Sequence, residues 1–257
     1  MANHALVLAT LQTDSSLINA GATLFVFDEA HHLPVIAAEQ FSYRARLGAS
    51  SRLPTGLRTV ALRHAKALPA STRPDAVAFG QLVTNCTDRL ALLERYWQES
   101  HLVSAEQSVH RFSKGRISED WVPECEQLAK LLRAIGSQVA GIAAALKEPD
   151  DAKSPSEREA QSHAGVELGV YLARLDTLDK LFSAWATHDR VPWAQWIEWA
   201  EDAAGAAPDA WLCASPMTAA QVLTRHLWSQ VSAAVCTSTT LTAPSSNAKN
   251  PAKRPQR

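Results

Sequence analysis

Cysteine is scarce and scattered in this sequence: Cys86, Cys125, Cys213 and Cys236 form no CxxC pair and no tight cluster. That spacing excludes the usual zinc and iron-sulfur ligand sets. Cys86 falls on the helical spacing of Phe79, Leu82, Val83, Leu90, Leu93 and Trp97, which predicts a buried thiol acting as a small hydrophobe; the same reading extends to all four. Charge of one sign is lacking too, since 25 Lys and Arg face 26 Asp and Glu for a net charge of -1. The chain as a whole is not drawn to nucleic acid or membrane, and any phosphate contact must be local. No predominantly apolar run approaches the roughly 20 residues that span a bilayer. The opening "MANHALVLATLQ" carries no basic n-region and no small-residue cleavage pattern, so no signal peptide and a cytoplasmic location are expected. A GxxxxGK[ST] loop, whose backbone and lysine cradle nucleotide phosphates, is also missing.

What is present, 257 residues with 46% apolar content, can fill one large core or two ordinary ones. Residues 3–11 read as a short helix. The run Thr23 to Phe27 is short, β-branched and aromatic, the pattern of a strand buried on both faces. Helical spacing then dominates, with "FSYRARL" (41–47) the one strand-like interruption. Its clearest stripes are Leu128, Leu131, Leu132, Ile135, Val139, Ile142, Leu146 and Leu168, Leu172, Leu175, Leu178, Leu181, Trp185, separated by the polar linker "KEPDDAKSPSEREAQSHAG". Pro192 opens "PWAQWIEWAEDA", where Trp193, Trp196 and Trp199 recur every third residue and predict a helix with a tryptophan row for core or interface packing. Sheet-type sequence returns with "AWLCAS", a helix over Thr218 to Trp228, and a second buried strand in "SAAVCTS" (232–238). The final "APSSNAKNPAKRPQR" has nothing to bury and reads as a disordered basic tail.

The stretch "LFVFDEAHH" (24–32) sets an apolar strand directly against two acids and two histidines. An acid at the carboxyl end of a buried parallel strand stands where α/β sheets place their ligands. Asp28 there suits Mg²⁺ on nucleotide phosphates, and the adjacent Glu29 suits the positioning and polarising of an attacking water. His31 is placed to couple the site to a neighbouring domain. The plainer alternative is a strand end capped by Asp28, with Glu29, His31 and His32 in water. The apolar run before the acids favours the nucleotide-site reading. His31 and His32 do not read as metal ligands, because adjacent side chains diverge.

The segments "ANHALVLATL" (2–11), "LFVFDEAHHLP" (24–34) and "WLCASPMTAAQVLTRHLWSQVSAAVCTSTTLTA" (211–243), in that order around a helical block, resemble the DinG/XPD-like DNA helicases of superfamily 2. The resemblance implies an α/β fold with a large all-α insertion: part of a RecA-like motor domain 1 over 1–45 and 206–243, interrupted by an arch-like helical domain over 46–205, with a tail over 244–257. It implies that Asp28 and Glu29 bind Mg²⁺ and activate water for ATP hydrolysis. It also implies that Thr237, Ser238, Thr239 and Thr240 form the segment coupling hydrolysis to DNA movement. Thr239 stands where a small residue is usual, and its β-branch would crowd a tight turn. The family's iron-sulfur segment and second motor domain have no counterpart here, so no Fe-S cluster is expected. The chain reads as the middle of an ATP-dependent 5′-to-3′ helicase, inactive alone. Its expected partners are single-stranded or forked DNA and the remaining helicase portions or a repair subunit. The alternative is a non-enzymatic helical module that binds DNA or a partner, with Arg44, Arg46, Arg52, Arg58, Arg63, His64 and Lys66 as the basic candidates. A truncated remnant without activity is a third possibility.

Overall fold

A computed structural model describes residues 2–12, 18–70, 73–104, 106–147, 154–187, 192–200 and 209–239. In chain order the elements are α1 (His4–Gln12), β1 (Leu24–Phe27), α2 (Leu33–Gln40), β2 (Tyr43–Arg46), α3 (Leu47–Ala65), α4 (Ala76–Ser100), β3 (Val109–Arg111), α5 (Val122–Lys147), α6 (Pro155–Ala186), β4 (Trp193–Ala200), β5 (Asp209–Pro216), α7 (Ala219–Leu223) and β6 (Ala233–Cys236). They divide into two compact units, one formed by 1–41 with 218–257 and the other by 42–217. The result is an α/β fold with a largely helical region.

In the first unit β1 and β6 pair in parallel, with Phe27 opposite Cys236. Phe25 and Phe27 enter a core with Val7, Leu8 and Leu11 of α1, Leu33 and Ala37 of α2, and Val222, Leu223 and Leu227. The expectation of strands buried on both faces does not hold. Alternation along β1 leaves Leu24 and Val26 62% and 64% exposed, and β6 is exposed along its length, including Cys236. Among the described residues one side of β1 is buried and neither side of β6 is. The predicted helix after Thr218 is one α-turn, α7, that widens into a π-helical turn over Thr224–Trp228.

The second unit is not all-α. Its helices pack on a four-stranded antiparallel sheet of order β2-β5-β4-β3. The tryptophan row expected on a helix lies on strand β4, where Trp193 faces Pro216, Trp196 faces Cys213 and Trp199 faces Ala210 across β5. The strand at Asp209–Pro216 therefore belongs to this unit's sheet. That pairing puts the boundaries at 41/42 and 217/218 rather than 45/46 and 205/206. Tyr43, Ala45, Ile197, Leu212 and Ala214 turn toward the helices. On the opposite face Arg44 pairs with Glu198 and lies 4.3 Å over the Trp211 ring, while Trp196 Nε1 donates to Glu198.

The helices follow the apolar stripes. Asp75 caps α4 by accepting from the amides of Val77 and Ala78. On α5, Leu128, Leu132, Ile135, Val139, Ile142 and Leu146 are buried, so a helix long and apolar enough to cross a bilayer turns that stripe into the core instead. The expected polar linker is helical over its second half: Pro155 takes the first position of α6, and Ser154 and Glu157 close a capping box. Residues 148–153 lie outside the described residues, as do 240–257 with the expected tail. Burial pushes the thiols of Cys86, Cys125 and Cys213 up to about 12, which keeps them protonated and inert.

One buried polar side chain ties sheet to helix. Gln195 is 3% exposed; it accepts from the Ile117 amide at 2.7 Å and donates to the carbonyls of Ala184 and Trp185. Replacing it with Leu keeps the volume but strands buried backbone groups, which should cost roughly 1–3 kcal/mol. We expect Gln195→Leu to lower the unfolding free energy by that amount, read as a lower urea midpoint at unchanged slope, and an unshifted midpoint would contradict this role.

Candidate nucleotide-hydrolysis site

The site is built at the carboxyl ends of β1 and β6. After Phe27 the chain must leave the strand, and Glu29 takes the left-handed conformation at φ 49° and ψ 44°. That backbone costs a non-glycine residue of order 1–3 kcal/mol and persists only where the surroundings hold it. Two cross-strand bonds supply the hold: the Thr237 amide donates to the Phe27 carbonyl at 2.8 Å, and the Ala30 amide donates to the Thr237 carbonyl at 2.9 Å. Ala30 is buried beneath this clip, and a short 3₁₀ turn over Ala30–His32 leads into α2, with Pro34 in its first turn.

Side chains 209 positions apart meet here. Thr237 Oγ1 donates to Asp28 Oδ1 at 2.8 Å, and the same oxygen accepts the Glu29 amide at 3.0 Å. His31 Nδ1 lies 2.7 Å from Ser238 Oγ and 3.0 Å from Glu29 Oε2, and Ser238 Oγ is 3.5 Å from that carboxylate. Glu29 and His31 are 49% and 35% exposed, so these contacts orient the groups more than they stabilise the fold. The His32 ring lies beside that of His31, tilted by 41° at a ring separation of 3.9 Å.

Asp28, Glu29, His31, Thr237 and Ser238 are thus brought together. Thr239 is exposed, so its β-branch meets solvent rather than a packed turn, and Thr240 lies outside the described residues. The Glu29, His31 and Ser238 contact is what the sequence reading missed; the cue was two polar segments each following a short apolar strand. Among the described residues no group of three or more His, Cys, Asp or Glu side chains is arranged to hold a metal. Asp28 offers one exposed carboxylate, with both of its hydrogen bonds on Oδ1. That set fits Mg²⁺ in the way the ion is bound with phosphates, through one or two carboxylates plus phosphate oxygens and water.

Most of the basic candidates are engaged elsewhere. Arg44 pairs with Glu198, Arg46 with Asp209, and Arg63 and His64 both with Glu167, whose carboxyl is held below its usual range first by the His64 hydrogen bond. Arg52 and Lys66 are exposed. A continuous basic path along this segment is not formed.

No protein-family model matches the chain. Three curated relatives carry one name, ATP-dependent DNA helicase DinG. The chain is distantly similar to these helicases. The Photobacterium profundum protein is 28% identical over 256 residues, which span 95% of this chain and 35% of the relative. The Salmonella choleraesuis protein is 30% identical over 140 residues, 52% of this chain and 20% of the relative. The Escherichia coli K12 protein is 29% identical over 136 residues, 51% and 19%. The chain therefore spans about a third or less of the length of the relatives it matches.

The Glu29 carboxylate against His31 Nδ1 sets the histidine tautomer, because an acceptor carboxylate requires a proton on the facing nitrogen. Nitrogen-15 spectra at neutral pH should show His31 carrying its proton on Nδ1, with a return toward the Nε2-protonated form in Glu29→Ala. A His31 already Nε2-protonated in the unaltered chain would contradict the geometry.

Proposed function

We propose that this chain is the part of an ATP-dependent DNA helicase that carries the acidic half of the hydrolytic site, with the 1–41 and 218–257 unit as part of a RecA-like motor domain and the 42–217 unit as an arch-like insertion. The observation that carries the reading is the hydrogen bond between Thr237 and Asp28, which joins the two motif-bearing segments at the tips of parallel strands. The similarity to the DinG helicases supports it.

In this reading Asp28 would hold Mg²⁺ together with ATP, and the ion would supply charge stabilisation during phosphoryl transfer. Glu29 orients and deprotonates the attacking water, and His31, between Glu29 and Ser238, fixes the direction of that carboxylate. Thr237 and Ser238, with Thr239 and Thr240 beyond them, form the segment through which a change at Asp28 reaches β6. DNA, unwound in the 5′-to-3′ direction in the cytoplasm, is the substrate. The chain alone hydrolyses nothing, because no glycine-rich phosphate loop occurs in it. Against the alternative of a non-enzymatic helical module that binds DNA or a partner, the ion pairs of Arg44, Arg46, Arg63 and His64 disfavour a basic DNA path along this segment.

Grafting the chain in place of the corresponding third of the Photobacterium helicase tests this. The graft should show DNA-stimulated, Mg²⁺-dependent ATP hydrolysis, and Glu29→Gln should lower its rate by about 10²-fold or more, the usual contribution of a general base. Hydrolysis that survives Glu29→Gln would contradict the assignment, as would hydrolysis by the isolated chain.

A further inference from the structure

Within the second unit, Arg58 of α3 lies across Gly80 of α4. A Cβ at Gly80 would stand 2.9 Å from Arg58 Nη2 and 3.1 Å from its Cζ, so any larger residue there would push the guanidinium end of Arg58 aside. Glycine inside a helix is otherwise disfavoured. The arginine seated there has no carboxylate partner among the described residues, and its Nε is buried without a hydrogen-bond acceptor. The guanidiniums nearby on these helices differ: Arg63 is bidentate to Glu167 and Arg89 pairs with Glu124.

Beside Arg58 and Gly80 runs a groove of about 660 Å³ whose polar lining is Gln81, Thr84, Asn85 and Asp88. The Asn85 oxygen already accepts from Arg89 at 2.9 Å, which leaves its amide nitrogen to donate. The Gly80 end of the groove thus offers a cation without a carboxylate partner among the described residues, and neutral donors. Asp88 is eight positions beyond Gly80, roughly 12 Å by helical rise, but only three and four beyond Asn85 and Thr84, so it confines an anion to the Gly80 end.

We propose that this groove binds a phosphate group, held by Arg58 with Gln81, Thr84 and Asn85 as neutral donors. A carboxylate has two oxygens, which a guanidinium alone satisfies in a bidentate pair; the additional donors match a group with more oxygens. The phosphate comes from free phosphate or from a nucleic-acid backbone, and the repulsion of Asp88 makes a strand cross the groove rather than follow it. The site does not rest on the nucleotide-hydrolysis reading, since none of its groups belongs to the unit that holds Asp28.

Proton–nitrogen NMR of the whole chain tests the proposal, following the Arg58 Nε–Hε signal and the amides of Gly80, Gln81 and Thr84. Inorganic phosphate is titrated in one series, and a short single-stranded oligonucleotide without terminal phosphates in another, at constant ionic strength. Saturable shifts with phosphate are expected, weakened about tenfold or more in Arg58→Gln, the effect of losing a charge-assisted contact. Gly80→Ala, which favours the helix but displaces the guanidinium, should weaken them as well. Saturation by the oligonucleotide too supports the site with a nucleic-acid backbone as source; saturation by phosphate alone supports it with free phosphate as source. The proposal is overturned if neither titrant shifts these signals, if chloride shifts them equally, or if Arg58→Gln responds as the unaltered chain does.

Discussion

The backbone clip between Thr237 and the turn after β1 is the constraint on which the candidate site depends. Its two hydrogen bonds extend the parallel pairing of β1 and β6 beyond the strands and hold Glu29 in a left-handed conformation that a free turn would avoid. With that backbone fixed, Thr237 reaches Asp28, and His31 stands between Ser238 and the Glu29 carboxylate. The site is thus a product of strand pairing between segments 209 positions apart, not of the stretch after β1 alone.

The intervening unit folds on different terms. Its core is continuous from α3 through α6 and takes in the inner faces of β2, β4 and β5. Gln195 reconciles the sheet with the helices by satisfying the end of α6 and the Ile117 amide at once. A buried amide with every polar group paired specifies one register, because slipping β4 by one residue would turn Gln195 out and strand those partners.

The long helices were legible because their stripes are wide and regular: the buried positions of α4 and α5 are those the spacing picks out. β4 was not, and Gln195 is the reason. In "WAQWIEWA" the buried positions are Gln195, Ile197 and Ala200, so the alternation of a half-buried strand is broken, first by a polar residue, while three tryptophans every third position imitate a helix face. The reading of β1 and β6 as doubly buried failed for a different cause. A short apolar run looks the same whether one or both faces are covered, and cover depends on chain elsewhere. The acids were legible from position at a strand tip. Their link to Ser238 was not, since no local pattern states which strand lies next to which.

The central claim, that β1 and β6 pair and carry their two polar ends into one site, is tested most directly by residue-resolved hydrogen exchange at the Ala30 and Thr237 amides. Both lie outside any regular strand, and the acceptors of their amides are the cross-strand carbonyls Thr237 O and Phe27 O. The account predicts that both amides exchange well below the random-coil rate and that Thr237→Pro, which removes one donor, frees Ala30 as well. Exchange of the two amides at the random-coil rate in the unaltered chain would contradict it.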